Sequence, residues 1–214
     1  MIGAGRARST IAAAGLLGLA WILGPGPAPA ALPSAHADDI ARIEAYLNGL
    51  ITVRSEFVQT NPDGATVTGE FYYQRPDKMR LDYDPPSPIL IISDGWWVIY
   101  YDRKLEQVSH LSIGSTPLGF LLSDDIRLSG AVTVTDVARA DGELKVTLIQ
   151  TEEPNQGSVQ LAFGEEPLEL RRWTVVDAQG QTTDVVLGAL ETGMPIDREL
   201  FRFRNPQFYP GARN

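Results

Sequence analysis

The chain has 214 residues, a formal net charge of −9 and no cysteine. The length allows one domain with a sizeable core, which must be stable without disulfide bonds. The acidic balance argues against nucleic acid and anionic membrane surfaces as partners, and the missing cysteine excludes thiolate chemistry.

Residues 1–37 have the features of a secretory signal peptide. A basic start without acids precedes the short apolar stretch 11–23, and Ala35-His36-Ala37 is a small-x-small cleavage signal. An uncleaved membrane anchor is the weaker alternative, because the apolar stretch is short for a membrane span and prolines follow it. We therefore predict cleavage after Ala37 and a single exported domain over residues 38–214.

An amphipathic helix is predicted directly after the cleavage site. Asp38 and Asp39 would stand at its N-terminus, where the helix dipole favours carboxylates. Apolar residues follow at three- and four-residue spacing, at Ile40, Ile43, Tyr46, Leu47, Leu50 and Ile51. This single apolar stripe predicts a helix that packs against the rest of the domain.

Most of the remaining sequence has the pattern of β-strands. Residues 66–75 and 78–84 alternate between apolar and polar side chains, and the second run is the clearest period-two signal in the chain. Turn sequences at short spacing favour consecutive antiparallel strands over βαβ units. Further strands are predicted near 53–60, 89–94, 96–101, 105–110, 131–139, 143–151, 158–164, 168–176 and 181–190. A sheet of about eleven strands tends to curl rather than stay flat.

Two features interrupt the alternating pattern. Residues 89–92 and 96–101 are apolar or aromatic throughout, so both faces of this hairpin must be covered. Between two later strands, Thr116 is a candidate N-cap and Pro117 a first helical residue, followed by a short apolar turn that could act as a plug or lid. From periodicity alone, a packed core and a ligand cavity are equally compatible with these apolar residues.

The sequence offers little for catalysis. His110 lies in a strand, where we expect it to be exposed or hydrogen-bonded rather than catalytic. A carboxylate hydrolase would need two acids facing each other inside a cavity. The acidic pairs instead lie on the polar face of a strand or beside turns, as is typical of solvated surface: Asp82/Asp84, Asp124/Asp125 and Glu152/Glu153. We predict no enzymatic activity, no metal and no cofactor, because nucleotide, calcium and nucleophile motifs are also missing.

A series of short motifs runs through residues 38–205 in a fixed order. It comprises Phe57-Val58-Gln59, Gly69, Arg75-Pro76, Pro86, Ser93-Asp94-Gly95, Tyr100-Tyr101-Asp102, Thr116-Pro117, Asp177, Gly180-Gln181, Phe201 and Phe203. The ordered series resembles the periplasmic outer-membrane lipoprotein carrier family, LolA. The resemblance implies a mainly β fold with a few helices, an incomplete (half-open) antiparallel barrel of about eleven strands. An N-terminal helix and a short lid-helix segment would cover its apolar cavity.

The resemblance also implies which residues act on a ligand. The cavity would hold acyl chains and be lined by Leu47, Phe57, Val67, Phe71, Met79, Leu81, Tyr83, Ile89, Ile91, Ile99, Leu118, Phe120, Leu121 and Leu122. Arg75 matches the family's gating arginine, whose five donors bond carbonyls of the covering helices, here near Leu47, Leu121 and Leu122. Cargo binding would break these bonds.

Two positions depart from the family's pattern. Leu81 stands where an aromatic residue is frequent, so the cavity wall is expected to be more aliphatic. Trp96-Trp97 stands where polar residues are common, which predicts an aromatic surface or cavity mouth particular to this chain.

The implied function is transport without catalysis or a cofactor. A monomeric periplasmic carrier would receive acylated lipoproteins from an inner-membrane ABC transporter of the LolCDE type and shield their acyl chains. It would deliver them to the outer membrane, through a LolB-type receptor or directly to the membrane. A carrier of another lipid or glycolipid on the same fold is the alternative, since fold alone does not determine function.

Overall fold

The computed structural model describes residues 34–209, so most of the predicted signal peptide lies outside the described residues. The described chain begins with the helix α1 (Ser34–Gly49). The strands that follow are β1 (Thr52–Thr60), β2 (Thr66–Gln74), β3 (Lys78–Tyr83), β4 (Ile89–Asp94), β5 (Trp97–Asp102), β6 (Gln107–Ser112), β7 (Val132–Ala140), β8 (Glu143–Gln150), β9 (Gly157–Glu165), β10 (Leu168–Asp177), β11 (Thr182–Leu187) and β12 (Glu191–Thr192).

Within residues 34–209 these twelve strands form one antiparallel sheet. The order is β6-β5-β4-β3-β2-β1-β11-β10-β9-β8-β7, with the short β12 paired to β1. The two halves of the chain meet where β1 pairs with β11, with Phe57 opposite Leu187. Strands β6 and β7 are left as edges, so the barrel is not closed. This confirms the predicted half-open antiparallel barrel.

The sheet curls around a core on its concave face. Register shifts between Leu170 and Arg172 and between Val134 and Asp136 mark irregularities that bend the strands and increase their twist. Large apolar side chains, including Leu144, Leu161 and Phe163, are fully buried on the side that the strands enclose. The core therefore sits inside the curl.

Helix α1 packs across this concave face. Ile43 is fully buried, and the ring of Tyr46 meets Phe163 edge-on, with 5.9 Å between ring centroids. The helix begins at Ser34, four residues before the predicted start, so Asp38 and Asp39 lie in its second turn rather than at its N-terminus. Asp39 is instead buried and pairs with Arg139 of β7 at 2.5 Å.

The end of the helix also differs from the prediction. Helix α1 ends at Gly49, and Ile51, which was predicted to belong to the apolar stripe, is 59% exposed beyond it. The chain must leave the helix here because β1 begins at Thr52 and continues in extended conformation.

The apolar hairpin of β4 and β5 is covered over part of its convex face, whereas Trp96 and Trp97 at its turn are exposed. On the convex face, Leu90, Ile92 and Tyr101 form a small core against Phe203, whose ring lies 5.3 Å from that of Tyr101. The 3₁₀ turn Arg198–Phe201 lies over the same region. Its Leu200 carbonyl accepts a bond from the Arg80 guanidinium at 3.0 Å. The C-terminal segment thus shields Leu90, Ile92 and Tyr101 from water, whereas Trp97 on the same face is 47% exposed.

Candidate ligand-binding cavity

An apolar recess lies between the concave face and residues 113–126, which we call the lid. The larger part, the main cavity, has a volume of about 450 Å³, within the roughly 300–1000 Å³ of small-molecule sites. The predicted cavity residues that line it are Val67, Met79, Leu81, Tyr83, Ile89, Ile91, Leu118 and Leu122. The fold therefore brings side chains of β2, β3, β4 and the lid around one space.

A smaller inner pocket of about 50 Å³ lies next to the main cavity at the end of α1. The predicted residues that line it are Leu47, Phe71, Met79, Leu118, Leu121 and Leu122. This pocket is far smaller than the roughly 300–1000 Å³ of small-molecule sites, so it has no room for a hydrocarbon chain. Leu118 and Leu122 of the lid line both spaces, together with Met79 and Trp173 of the sheet.

The lid consists of two short 3₁₀ turns, Ile113–Ser115 and Gly119–Leu122. The predicted N-cap role of Thr116 is wrong: its hydroxyl donates to the carbonyl of Ile113 at 2.7 Å and closes the first turn. A Cβ at Gly119 would lie 2.0 Å from the Ile113 carbonyl oxygen. Only glycine therefore lets the two turns pack this closely.

Arg75 connects the lid to the end of α1. Its Nη1 donates to the backbone oxygen of Asn48 at 2.6 Å and to the Asn48 side-chain oxygen at 3.0 Å. Its Nη2 donates to the carbonyl of Asp124. The guanidinium thus joins the two elements that cover the cavity, although its role as a gate stays a prediction.

The carbonyls predicted to bind Arg75 have other donors. The Leu121 oxygen accepts from the Tyr73 hydroxyl at 2.8 Å, and the Leu122 oxygen accepts from the Asp77 backbone N–H at 3.1 Å. On α1 the acceptor belongs to Asn48 rather than Leu47. Burial raises the pKa of Tyr73 to about 12, so this phenol stays protonated and remains a donor at neutral pH.

Asn48 makes a second connection between α1 and the lid, which the sequence reasoning missed. Its Nδ2 donates to the carbonyl of Ile126 at 2.8 Å, and its Oδ1 accepts from the Ile126 N–H at 2.9 Å. One turn earlier, Glu44 accepts from the N–H of Leu128 at 2.8 Å. The spacing of Glu44 and Asn48, four residues apart on one helix face, was a signal that they act together.

Three predicted cavity residues lie elsewhere. Phe57 is packed within the core, edge-on to Tyr83 with 5.1 Å between ring centroids. Phe120 points away from the main cavity and lines a groove on the other side of the lid. Ile99 pairs with Ile92 and is buried on the convex face. Its place in the cavity is taken by its neighbours Val98 and Tyr100.

The prediction also missed the wall formed by β10 and β11. Trp173 lines both spaces, and its ring lies 5.5 Å from that of Phe71. Val175 and Val185 complete this side of the main cavity. The alternation of apolar and polar residues along β10 and β11 indicates that each strand has one buried face. Their position opposite β3, however, depends on the pairing of β1 with β11.

The acids lie outside the main cavity. Among the described residues that line it, the polar ones are Gln59, Asn61, Ser87, Tyr83, Tyr100, Thr116 and Thr183, without a carboxylate. Asp82 was expected on solvated surface, but on the convex face it pairs with Arg80 at 2.5 Å and Arg103 at 2.7 Å. Residues 34–209 contain no cluster of three or more acids or histidines suited to a metal ion.

The described part of the chain thus has an apolar cavity beneath a lid. The chain belongs to the outer membrane lipoprotein carrier protein family LolA, whose model matches residues 48–204. Proteins of this family are carriers, and the chain is accordingly a binding protein and not an enzyme.

Similar proteins extend over most of the chain. The outer-membrane lipoprotein carrier protein of Methylococcus capsulatus is 32% identical, with 78% of this chain and 83% of the relative covered. That of Nitrosospira multiformis is 28% identical, with 81% and 87% covered. A solved LolA superfamily structure from Nitrosomonas europaea covers 77% of this chain and 97% of its own, with 10% identity and a TM-score of 0.42. Helices long and apolar enough to cross a membrane do not occur in the described part of the chain.

Proposed function

We propose that this protein is a periplasmic carrier that takes acylated lipoproteins from an inner-membrane ABC transporter of the LolCDE type and delivers them to the outer membrane. The main cavity carries the proposal, because it is an apolar recess of about 450 Å³ beneath a lid. Family membership implies the periplasm. The predicted signal peptide and its cleavage after Ala37 agree with that location.

The energetics explain why a carrier is needed. Burying each CH₂ is worth about 0.8 kcal/mol, so one chain of about 14 carbons holds a lipoprotein in a membrane by about 11 kcal/mol. One such chain alone still binds a membrane only reversibly, but a lipoprotein with three chains would almost never leave the membrane unaided. A carrier must offer a comparably apolar environment, yet bind weakly enough to give up its cargo.

The lid offers a way to adjust the balance between holding the cargo and releasing it. Before cargo binds, the bonds from Arg75 to Asn48 and Asp124 hold the lid over the cavity. An incoming chain displaces Leu118 and Leu122, which separates Asp124 from Arg75. The bonds re-form when cargo leaves, so their free energy favours release. This is why Arg75 acts as a gate in the proposed cycle.

In this cycle the transporter uses ATP, whereas the carrier itself needs neither nucleotide nor metal. The monomeric carrier accepts cargo that the transporter has extracted, and transfers it to a LolB-type receptor or directly to the outer membrane. The full chain has a net charge of −9, and loss of Arg6 and Arg8 with residues 1–37 would leave about −11. This charge disfavours binding to anionic lipid surfaces, which suits a protein that must leave the inner membrane after loading.

A release assay tests the proposal. The protein is added to inner-membrane vesicles that contain the cognate transporter and a labelled outer-membrane lipoprotein. We expect one-to-one complexes in the soluble fraction that form only with ATP. Vesicles without the transporter are the control, and ATP-independent release would contradict loading by the transporter.

A binder of another lipid or glycolipid is the second candidate, because the apolar cavity wall does not distinguish one hydrocarbon chain from another. Native mass spectrometry of the protein isolated from the periplasm discriminates between the two. A co-purifying free lipid, together with no lipoprotein complexes in the release assay, would favour the second candidate.

A further inference from the structure

Strand β6 (Gln107–Ser112) forms an open edge of the sheet. It is the last strand on its side, and five of its residues are exposed, while Val108 is partly buried. An edge strand presents unpaired N–H and C=O groups, which can form hydrogen bonds with another extended chain. The outer edge of β6 is therefore a candidate binding surface, distinct from the main cavity.

The pairing of β5 determines which groups of β6 point outward. The N–H of Arg103, directly after β5, bonds to the carbonyl just before β4 at 2.9 Å. Because alternate residues of a strand direct their backbone groups to the same side, Tyr100, three positions earlier, faces β6 instead. It stands opposite Ser109, which therefore bonds to β5. Val108 and His110, on either side of Ser109, direct their N–H and C=O groups away from the sheet.

These outward groups have no protein partner within residues 34–209. In that part of the chain β6 pairs with β5 alone, and neither Val108 nor His110 takes part in a backbone bond outside the sheet. A backbone group without a protein partner must bond to water or to a ligand. Val108 and His110 thus offer two donors and two acceptors to an added strand.

The opposite edge, β7, is protected, whereas β6 is not. Bulges, charged side chains and proline prevent unwanted pairing at sheet edges. On β7 the register shifts between Val134 and Asp136, and the Arg139 side chain pairs with Glu165 at 2.9 Å. Strand β6 has the sequence QVSHLS, without proline, lysine, arginine or acids, and pairs with β5 in regular register. Its edge is therefore the one that is open to pairing.

This edge runs beside the main cavity. Tyr100 lines the main cavity, is 39% exposed and stands opposite Ser109 of β6. Val98 also lines the cavity and stands opposite Leu111. An added strand would lie about 10 Å from β5, because adjacent strands are about 4.8 Å apart. A ligand held in the main cavity can therefore extend past Tyr100 to the edge of β6.

We propose that the edge of β6 binds, as an added strand, the extended peptide that follows the acylated cysteine of a lipoprotein. The inference rests on the proposed function and gives the peptide part of the cargo a site of its own. Backbone bonds supply affinity without reading the side chains, and β6 has no lysine, arginine or acid that would select among sequences. One edge can thus accept the peptides of different lipoproteins.

The area of the edge favours a cargo peptide over a second copy of the chain. A stable interface buries about 800 Å² on each partner, and a strand about 20 Å long offers far less. Two copies, each with a net charge of −9, would also repel each other. A cargo peptide does not need a large area, because acyl chains in the main cavity keep it at a high effective concentration beside the edge.

Alternate N-methylation of a lipopeptide tests the strand pairing. The probe is an S-dipalmitoylglyceryl cysteine followed by alternating serine and alanine, and its two variants are N-methylated either at the serines or at the alanines. An added strand directs alternate N–H groups towards β6, so one set of methyl groups blocks pairing and the other faces solvent. We expect one variant to bind at least about fivefold more weakly than the unmethylated probe, and the other within about twofold.

The outcomes of this comparison separate the two proposals. Equal affinities for the two methylated variants would overturn the edge assignment and leave the carrier function intact. No binding of the unmethylated lipopeptide would contradict the proposed function, and the edge assignment with it.

A substitution in the strand gives an independent measurement. His110→Pro removes one outward N–H, and proline is tolerated where the N–H of an edge strand faces solvent. His110→Ala keeps the N–H and is the matched control for loss of the imidazole and its contact with Trp97. We expect His110→Pro to bind the lipopeptide about fivefold more weakly than His110→Ala, and both to bind dipalmitoylglycerol equally. Equal binding of the lipopeptide by both variants would overturn the assignment.

Hydrogen exchange in the wild-type protein needs no substitution. Saturation with the unmethylated lipopeptide should slow exchange at the N–H groups of Val108 and His110 at least about tenfold. The N–H of Ser109, already bonded to β5, should change by less than about twofold. Unchanged exchange at Val108 and His110 would overturn the proposal. A wild-type dimer in sedimentation experiments that His110→Pro abolishes would assign the edge to a second copy, and would also overturn it.

Discussion

The side-chain amide of Asn48 bonds to both backbone polar groups of Ile126, donating to its carbonyl at 2.8 Å and accepting from its N–H at 2.9 Å. Asn48 also accepts from Arg75 through the same Oδ1 atom and through its backbone carbonyl. The end of α1 and the end of the lid are therefore held together by one residue. Arg75 reinforces a connection that exists without it.

Replacement of Asn48 should loosen the lid. Asn48→Ala removes four bonds of this half-buried side chain, two to Ile126, one to Arg75 and one to the Glu44 carbonyl, at about 0.5 kcal/mol each. We expect a loss of about 2 kcal/mol in the free energy of unfolding and faster hydrogen exchange at the Ile126 N–H. Denaturant unfolding and exchange followed by NMR measure the two effects.

A matched variant controls for loss of an asparagine. Asn155 is exposed in the 3₁₀ turn Pro154–Gln156, and Asn155→Ala should change stability by less than about 0.5 kcal/mol. Unchanged exchange at Ile126 in Asn48→Ala would show that the amide does not hold the lid.

Arg75→Leu should separate loading from release. The substitution removes the donors to Asn48 and Asp124, so the covered state loses stability relative to the cargo-bound state. We expect normal loading and at least about fivefold slower transfer to the acceptor, corresponding to about 1 kcal/mol. Transfer is measured as labelled lipoprotein appearing in acceptor membranes.

Arg54→Leu is the control for this substitution, because Arg54 is a half-exposed arginine that pairs with Glu70 at 2.7 Å on the sheet surface. Transfer by Arg75→Leu at the wild-type rate would remove the guanidinium from the proposed cycle. Equal slowing in Arg54→Leu would attribute the effect to a general loss of charge.

Sequence reasoning located the strands because alternation assigns each residue to a face. In β3, Leu81 and Tyr83 both line the main cavity, as expected for two residues that share a face on either side of Asp82. In β5, six consecutive apolar residues leave the face undetermined, and Ile99 was assigned to the wrong side. The C-terminal segment with Phe203 makes the convex face of the hairpin a buried one. This segment lies about a hundred positions further along the chain, so no local pattern in β5 indicates it.

The carbonyl acceptors of Arg75 were harder to predict from the sequence than the strands were. Family resemblance predicted acceptors near Leu47, Leu121 and Leu122, whereas Asn48 and Asp124 supply them. Which carbonyls face a donor depends on where α1 ends and how the lid turns are wound. These features follow from packing of the lid on the sheet, and the chain carries no local pattern for them.

Two lid glycines provide a test of how tightly the lid is packed. In Gly119→Ala the new Cβ would meet the Ile113 carbonyl oxygen at 2.0 Å, whereas at Gly114 nothing lies within 4 Å. We expect Gly119→Ala to lower the free energy of unfolding by about 2 kcal/mol or more, because the two turns must separate. Gly114→Ala should have an effect within about 0.5 kcal/mol. Equal unfolding midpoints for the two variants in urea would contradict the packing described for the lid.

The ion pairs of Asp82 should make stability depend on pH. Burial alone would raise the pKa of Asp82, but hydrogen bonds from Arg80 and Arg103 outweigh it and hold the pKa below its ordinary value. A carboxyl with a lowered pKa in the folded state stabilises the protein above its unfolded pKa of about 3.9. This contribution is lost as the pH falls through the folded-state pKa.

Asp82→Asn removes that contribution and leaves the buried Arg80 without its carboxylate partner. We expect a loss of about 2 kcal/mol in the free energy of unfolding at pH 7. The difference from wild type should shrink as the pH falls below about 4, because protonation then removes the wild-type charge as well. Asp136→Asn, at an exposed position on the edge strand β7, is the control and should differ by less than about 0.5 kcal/mol. A difference between Asp82→Asn and wild type that stays constant from pH 7 to pH 2 would mean that lost packing, and not the lost ion pairs, destabilises the variant.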